Sequence, residues 1–248
     1  MTLSASALTA TLTKWMKKIS FWHRLLDLIA PRLCVVCGRR LAPSEEVLCA
    51  ACNLHLPRTG FQLSAYDNVM ARLFWGIIPV ERVAALFYYE GGSKTANILY
   101  DLKYHDQPKI GVVMGRMMAT EFNEAGFFDG IDLVVPIPLA RSRQRHRGYN
   151  QSRCLAEGIC QATGLALYDR VVCRKRFEKS QTQMGRWERQ ENVANVFELK
   201  DQAAIHGKHL LLVDDVVTTG ATITACAREL LKAGDVKISL LSLGFAKS

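Results

Sequence analysis

No run of 18 apolar residues occurs in the 248-residue chain, so no segment reads as a membrane-spanning helix. Neither the Gly-x-x-x-x-Gly-Lys of a P-loop nor the Gly-x-Gly-x-x-Gly of a dinucleotide fold is present, which excludes two common phosphate loops. There are no internal repeats. Lys14, Lys17 and Lys18 lie mid-segment without a following apolar core and small-residue cleavage site. The N-terminus therefore does not read as a signal peptide, and a cytoplasmic location is expected. Acidic residues are the scarce charge: 23 Asp and Glu against 32 Lys and Arg, a net +9. That balance favours polyanionic ligands such as phosphates, pyrophosphate, nucleic acid or acidic lipid. An apolar content of 49% excludes wholesale disorder and suits one ordinary domain with a small appendage.

The most informative stretch is Leu210-Leu211-Leu212-Val213-Asp214-Asp215-Val216-Val217-Thr218-Thr219-Gly220-Ala221-Thr222. Its continuous Leu/Val run predicts a parallel strand buried on both faces. In open α/β sheets ligands bind at the carboxyl ends of such strands, where the two acids fall. The Thr/Gly turn opens a helix with Ile223, Cys226, Ala227, Leu230 and Leu231 on one face, stopping at Gly234. Orphan amides and a positive dipole end make such a turn a phosphate site. Carboxylates beside it accept hydrogen bonds from sugar hydroxyls. The combination asks for a ribose 5-phosphate. A buried strand whose acidic end merely caps a helix is the plainer alternative. Position by position, the segment resembles the 5-phosphoribosyl-1-pyrophosphate (PRPP) motif of type I phosphoribosyltransferases.

Two basic clusters lie in the same half of the chain. Pro136-Ile137-Pro138-Leu139 leads into a basic loop, Arg141 to Arg147, followed by Gly148-Tyr149-Asn150-Gln151-Ser152. Its crowded cations repel unless an anion sits among them, and arginine suits bidentate contact with phosphoryl oxygens. A solvated basic loop is the bland reading. The second cluster is Arg170, Arg174, Lys175, Arg176 and Lys179. Lys179 to Met184 and Arg189-x-x-Asn192-x-x-Asn195-x-Phe197 then precede the PRPP-motif strand, where this fold carries a lid that excludes water.

Cys34-Val-Val-Cys37 and Cys49-Ala-Ala-Cys52 are separated by eleven residues. Two such knuckles bring four thiolates into a tetrahedron, which suits structural zinc. His55 is not needed as a ligand. Cys154, Cys160, Cys173 and Cys226 are expected as buried thiols. The organisation read from the chain is an amphipathic helix over 1–31, a zinc-binding module over 32–60, a connector over 61–86 and an α/β domain over 87–248. Strands are expected at 84–89, 132–136, 171–174 and 236–243, besides the PRPP-motif strand. Helices are expected at 93–103, from 106, and at 150–164. Their alternation predicts a mostly parallel sheet. The Met-rich face of the second helix (Met114, Met117, Met118) is expected in the core.

Taken in order, the knuckles, Leu102-Lys103-Tyr104, Pro136-x-Pro138-Leu139, Arg147-Gly-Tyr-Asn150-Gln151-Ser152, Gln181 to Phe197 and the PRPP motif resemble the ComF (competence protein F) family over residues 30–245. The resemblance implies a zinc module before a type I phosphoribosyltransferase-fold domain, in proteins linked to DNA uptake in natural transformation. Some relatives carry further Cys-x-x-Cys pairs; two pairs here imply one Zn²⁺. It also implies displacement at ribose C1 of PRPP by an unidentified nitrogen acceptor. Asp214 and Asp215 are then catalytic and hold the ribose hydroxyls. Val213, Thr218, Thr219, Gly220, Ala221 and Thr222 complete the PRPP site. Leu139, Arg143, Arg147 and Lys103 meet pyrophosphate alongside Mg²⁺. Three functions stay open: a phosphoribosyltransferase, a PRPP-binding regulator without turnover, and a single-stranded-DNA-handling competence factor. Direct contact with single-stranded DNA or DNA-uptake proteins and a homodimeric assembly are likewise open.

Overall fold

The computed structural model describes residues 31–104, 106–175 and 196–246, divided into two compact units that meet between His55 and Leu56. The expected leading helix and the segment from Lys179 to Asn195 lie outside the described residues.

The small unit is built on its cysteines. Gly38 adopts φ +70° and closes the first knuckle, its amide donating to the Cys34 carbonyl at 2.8 Å. Leu33 and Arg40 pair across this turn as an isolated antiparallel bridge. Cys49 caps the helix α1 (Ala50–Leu54), accepting from the Cys52 amide. Glu45 ties the two halves together, accepting from the Ala42 amide at 2.7 Å and the Ala50 amide at 2.6 Å. Besides the cysteines, Val36, Leu41, Val47 and Leu48 are its buried apolar side chains. So small a core needs a further staple, and its four clustered cysteines suit a metal in that role.

The larger unit carries strands β1 (Val83–Tyr89), β2 (Leu133–Pro136), β3 (Ala166–Leu167), β4 (Val172–Arg174), β5 (Phe197–Leu199), β6 (His209–Val217) and β7 (Lys237–Ala246). Its helices are α2 (Ala96–Tyr104), α3 (Pro108–Asn123), α4 (Arg141–Arg147), α5 (Gln151–Thr163) and α6 (Ala221–Leu231). Five strands form one parallel sheet in the order β1-β7-β6-β2-β3. The fold is thus the mostly parallel α/β class expected. The chain leaves β2 toward β3 on one side and β6 toward β7 on the other. The topological switch point therefore lies between β2 and β6, where open sheets bind ligands.

Packing explains the strand pattern. Leu210, Leu211, Leu212 and Val213 are fully buried in the central β6, flanked by β7 and β2. Helices α3 and α5 approach so closely that a side chain is excluded: a Cβ on Gly115 would lie 2.1 Å from the Leu155 carbonyl oxygen. Met114 and Met118 are fully buried on α3, whereas Met117, expected with them, is half-buried at the edge of that face.

Several elements differ from the sequence expectation. Helix α2 starts at Ala96, not Ser93, because the Ser93 hydroxyl accepts from the Ala96 amide at 3.2 Å and acts as its cap. The basic loop 141–147 is a helix, α4, ended by Gly148 at φ +79°. Arginine and glutamine are good helix formers, and their charge masked that propensity. The short strands β3 and β5 carry too few residues for a period to show. Cys160 and Cys173 are half-buried, not buried.

Candidate functional site

The two loops that leave the switch point carry the two phosphate-type motifs. After β6, the chain turns at Thr218, Thr219 and Gly220 into α6. Gly220 sits at φ +74°, and a Cβ there would lie 2.8 Å from the Phe74 ring. Phe74, fully buried, follows the 3-10 turn Ala71–Leu73 and wedges this turn in place. Thr218, Thr219, Ala221 and Thr222 are exposed. They line a hollow of about 40 Å³ with Asp214. The first amides of α6 have no partner within the helix and so suit an anion.

The acidic pair lies near the carboxyl end of β6, ahead of the bend. Asp214 Oδ1 accepts from the Ser152 hydroxyl at 3.0 Å and from the Asp215 amide at 2.9 Å. Burial, then the negative charge of Asp215, raises the Asp214 carboxyl to about 7; those two hydrogen bonds and Lys103 oppose the rise. Asp215 Oδ2 holds Lys103 Nζ at 3.0 Å. The pair thus has unequal members: a carboxyl poised near neutrality and a carboxylate already matched with a cation. Val213 has a fully buried side chain, and its carbonyl accepts from Ile137 at 2.9 Å. It braces the site through the sheet.

After β2, Ile137 to Ala140 lead into α4. Leu139 is half-buried, Arg143 and Arg145 are exposed, and Arg147 is half-buried. Arg147 is anchored: its guanidinium donates to Gln151 Oε1 at 3.2 Å and lies 5.4 Å from the Tyr104 ring centroid. Asn150 caps α5, accepting from Ser152 while donating to the Ile137 carbonyl at 3.0 Å. The Tyr149 hydroxyl donates to the Leu102 carbonyl at 2.6 Å, joining this segment to α2. These bonds bring Lys103, Arg147 and the acidic pair into one neighbourhood.

Three contributors appeared in the sequence only within longer motifs, with no role of their own. Ser152 orients Asp214, and its only signal was its place in the Asn150-Gln151-Ser152 string. Gln151 is 2% exposed, and its buried Nε2, beside Arg147, has no hydrogen-bond partner among the described residues. Arg174, at the end of β4, lies over the Phe197 ring at 5.6 Å. Burial, then the charge of Arg143, holds its guanidinium below the usual value, while Asp214 opposes this. Burial and the Asp214 charge push the Cys226 thiol up, so it stays neutral beneath the site.

In the small unit, the Sγ atoms of Cys34, Cys37, Cys49 and Cys52 lie within 4.8 Å of one another. Cys37 and Cys49 Sγ are 3.8 Å apart, which matches the edge of about 3.8 Å that a tetrahedron with bonds of about 2.3 Å to zinc requires. The Cys49 and Cys52 amides point at the Cys34 and Cys49 sulfurs, at 3.4 and 3.5 Å. Four soft ligands fit one tetrahedral ion. His55 turns instead to the Ala51 carbonyl at 2.8 Å. Among the described residues no helix is long and apolar enough to cross a membrane.

Comparison with known proteins agrees with this architecture. A family model described as a phosphoribosyl transferase domain matches residues 161–246. The DNA utilization protein YhgH of Salmonella typhimurium is 26% identical over 226 residues, covering 87% of this chain and 98% of that protein. Competence protein F of Haemophilus influenzae is 22% identical over 223 residues, covering 86% and 96%. Competence protein ComFC of Bacillus subtilis is 35% identical over 104 residues, covering 41% and 39%.

Proposed function

We propose that this chain, which belongs to the ComF (competence protein F) family, binds PRPP at the switch point and transfers its phosphoribosyl group to a nitrogen acceptor. The observation that carries this reading is the paired carboxylates of β6 leading directly into an anion-binding turn at the head of α6. Ribose 2- and 3-hydroxyls are donors, and ionised Asp214 and Asp215 are acceptors only, so the match is directional. Thr218 to Thr222 take the 5-phosphate. Arg143 and Arg147 face the pyrophosphate.

The reaction is nucleophilic displacement at ribose C1. The acceptor nitrogen forms the new C–N bond as the bond from C1 to the pyrophosphate oxygen breaks, and pyrophosphate leaves with the electron pair. Positive charge grows on the ring, so the chain's task is alignment and charge compensation. Mg²⁺, when bound with the ligand, would supply charge neutralisation at the pyrophosphate, and the ligand's own oxygens would chiefly hold it, since Asp214 and Asp215 already have protein partners. Lys103 moves from Asp215 to the incoming phosphate, leaving that carboxylate to the ribose.

Isothermal titration with PRPP and Mg²⁺ tests the binding, and pyrophosphate release on addition of bases or amines tests turnover. Binding without release assigns the chain to regulation; no binding removes the reading. A second reading rests on the exposed Arg143, Arg145 and His146 of α4 and the DNA-related name of a relative. There the helix contacts single-stranded DNA, and Mg²⁺-PRPP competes with an oligonucleotide for it. Independent binding of the two places the DNA elsewhere.

The cysteine cluster holds one structural Zn²⁺ in this reading, with no open position for water. Metal analysis should find about one zinc per chain, and chelation should unfold the small unit. Four freely alkylated thiols in folded, metal-free protein would exclude it.

A further inference from the structure

Lys103 and Asp215 meet at 3.0 Å with side chains 22% and 14% exposed. An ion pair at the open surface is screened by water, but this one is mostly withdrawn from it. Parting its members without giving each a new partner is therefore costly. The lysine is anchored at its base. It lies in the last turn of α2, where the Leu102 side chain is fully buried and the Leu102 carbonyl accepts from the Tyr149 hydroxyl. With the backbone held there, the part free to swing is a flexible four-carbon stem carrying a point charge.

Beyond the lysine lies the pyrophosphate side. The next residue, Tyr104, sits 5.4 Å under the Arg147 guanidinium, and Arg147 donates to Gln151 Oε1 at 3.2 Å. Lys103 thus stands between two anions: Asp215, which it holds in the free protein, and the pyrophosphate that Arg147 would meet. The carboxylate that would take a ribose hydroxyl is occupied until the ammonium leaves it.

Two ligands then meet different sites. Ribose 5-phosphate must part the pair and strand a mostly buried ammonium without a counter-ion. PRPP brings the replacement with it, because its pyrophosphate takes the ammonium as its ribose takes the carboxylate. We propose that Lys103 is a specificity-determining residue of this site, closing Asp215 to sugar phosphates that lack a pyrophosphate and yielding it to those that carry one. The inference rests on the PRPP reading and adds the discrimination that reading leaves open. No covalent bond changes in the exchange; one ammonium trades one anion for another.

The exchange has a thermodynamic signature. Pyrophosphate that draws off Lys103 frees Asp215, so it tightens sugar phosphate binding, and by linkage the sugar phosphate tightens pyrophosphate by the same factor. Repulsion between the two anions acts the other way. Isothermal titration of the full chain with 1-deoxyribose 5-phosphate, which has no C1 oxygen and leaves room for pyrophosphate, measures the coupling. It is run at about pH 9, above the Asp214 midpoint of about 7, so that losing the cation does not protonate the acidic pair. Mg²⁺-pyrophosphate is expected to tighten the sugar phosphate about tenfold in wild type.

In Lys103→Met the carboxylate is free from the start. The sugar phosphate alone should bind about fivefold tighter than to wild type, and Mg²⁺-pyrophosphate should no longer help it. Lys103→Arg keeps an ion pair with Asp215 and should keep the coupling. Unchanged sugar phosphate affinity in Lys103→Met would reduce Lys103 to a pyrophosphate contact, and weaker affinity would make it a brace for Asp215; either overturns the proposal. So does a wild type that binds Mg²⁺-PRPP yet shows no coupling, a measurement that needs no variant to fold. Failure of the wild type to bind Mg²⁺-PRPP removes the underlying reading and the proposal with it, and that titration tells the two failures apart.

Discussion

The turn after β6 and the helix after β2 flank the same switch point and are built on opposite plans. In the first, the acidic pair and the glycine of the bend are fixed. Asp214 is held by Ser152 and a backbone amide, Asp215 by Lys103, and Gly220 is pinned under Phe74. In the second, Arg143 and Arg145 stand in solvent, and Arg147 is tethered. The first arrangement gives direction, because its acceptors are aimed before a ligand arrives. The second gives charge, which draws and neutralises an anion without fixing its pose. Substitutions on the two sides should therefore fail differently.

The largest effect is expected on the fixed side. Charge-assisted hydrogen bonds are worth about 1.5–3 kcal/mol each, so Asp214→Asn with Asp215→Asn should weaken Mg²⁺-PRPP binding at least about tenfold. Thermal melting should show the fold retained. Unchanged affinity in titration would mean the acidic pair is not where ribose binds.

Next comes pH, through Asp214 alone. A carboxyl at about 7 passes from about nine-tenths to about one-tenth ionised between about pH 8 and about pH 6. Only the ionised form accepts from two hydroxyls, so affinity should fall about tenfold over that range. The ligand's phosphates titrate too, so the measure is the difference between wild type and Asp214→Asn, whose profile should be flatter. Stability without ligand has the opposite sign. A carboxyl raised from 3.8 to about 7 binds its proton more tightly when folded, so stability declines as pH rises between those values and levels off above.

The same contrast explains what could be read from the chain. The β6 turn was legible residue by residue, because a buried strand, two acids and a Thr/Gly bend each impose a local pattern. The four cysteines were legible for the same reason, their spacing being the geometry. Phe74 was not: it reaches Gly220 from far away in the chain, and no local period announces such a contact. Nor was α4 visible as a helix, since charge density drew attention away from propensity. Ser152 and Arg174 matter through a neighbour on another element. Those are properties of the folded surface.

On the diffuse side a graded loss is expected. Arg147→Ala removes the tethered guanidinium and should weaken Mg²⁺-PRPP about fivefold, less than a fully buried charged pair would cost. Arg147→Lys should recover part of this, keeping the charge but losing the fork. The deficit should shrink as salt rises, because screening weakens exposed charge more than aimed hydrogen bonds. A salt-independent deficit would place Arg147 with the fixed side instead.

The smallest effect falls on the bond that joins the two sides. Ser152 lies in the first turn of the helix that follows the basic segment, yet its hydroxyl donates to Asp214 across the switch point at 3.0 Å. Ser152→Ala removes little volume from a buried position, so the fold should stand. The carboxylate loses a donor that now opposes the rise of its pKa, and its midpoint should move higher. At neutral pH fewer molecules then carry ionised Asp214, and affinity should fall about threefold, well under the worth of a full charged hydrogen bond. Well above neutrality the carboxylate is ionised in both proteins, and the difference should close. Titrations across that range distinguish two roles for the serine. A deficit that fades as pH rises means it acts on the proton of Asp214. A deficit of equal size at every pH means it only positions the side chain, and the fixed side would then be tuned by burial and Asp215 alone.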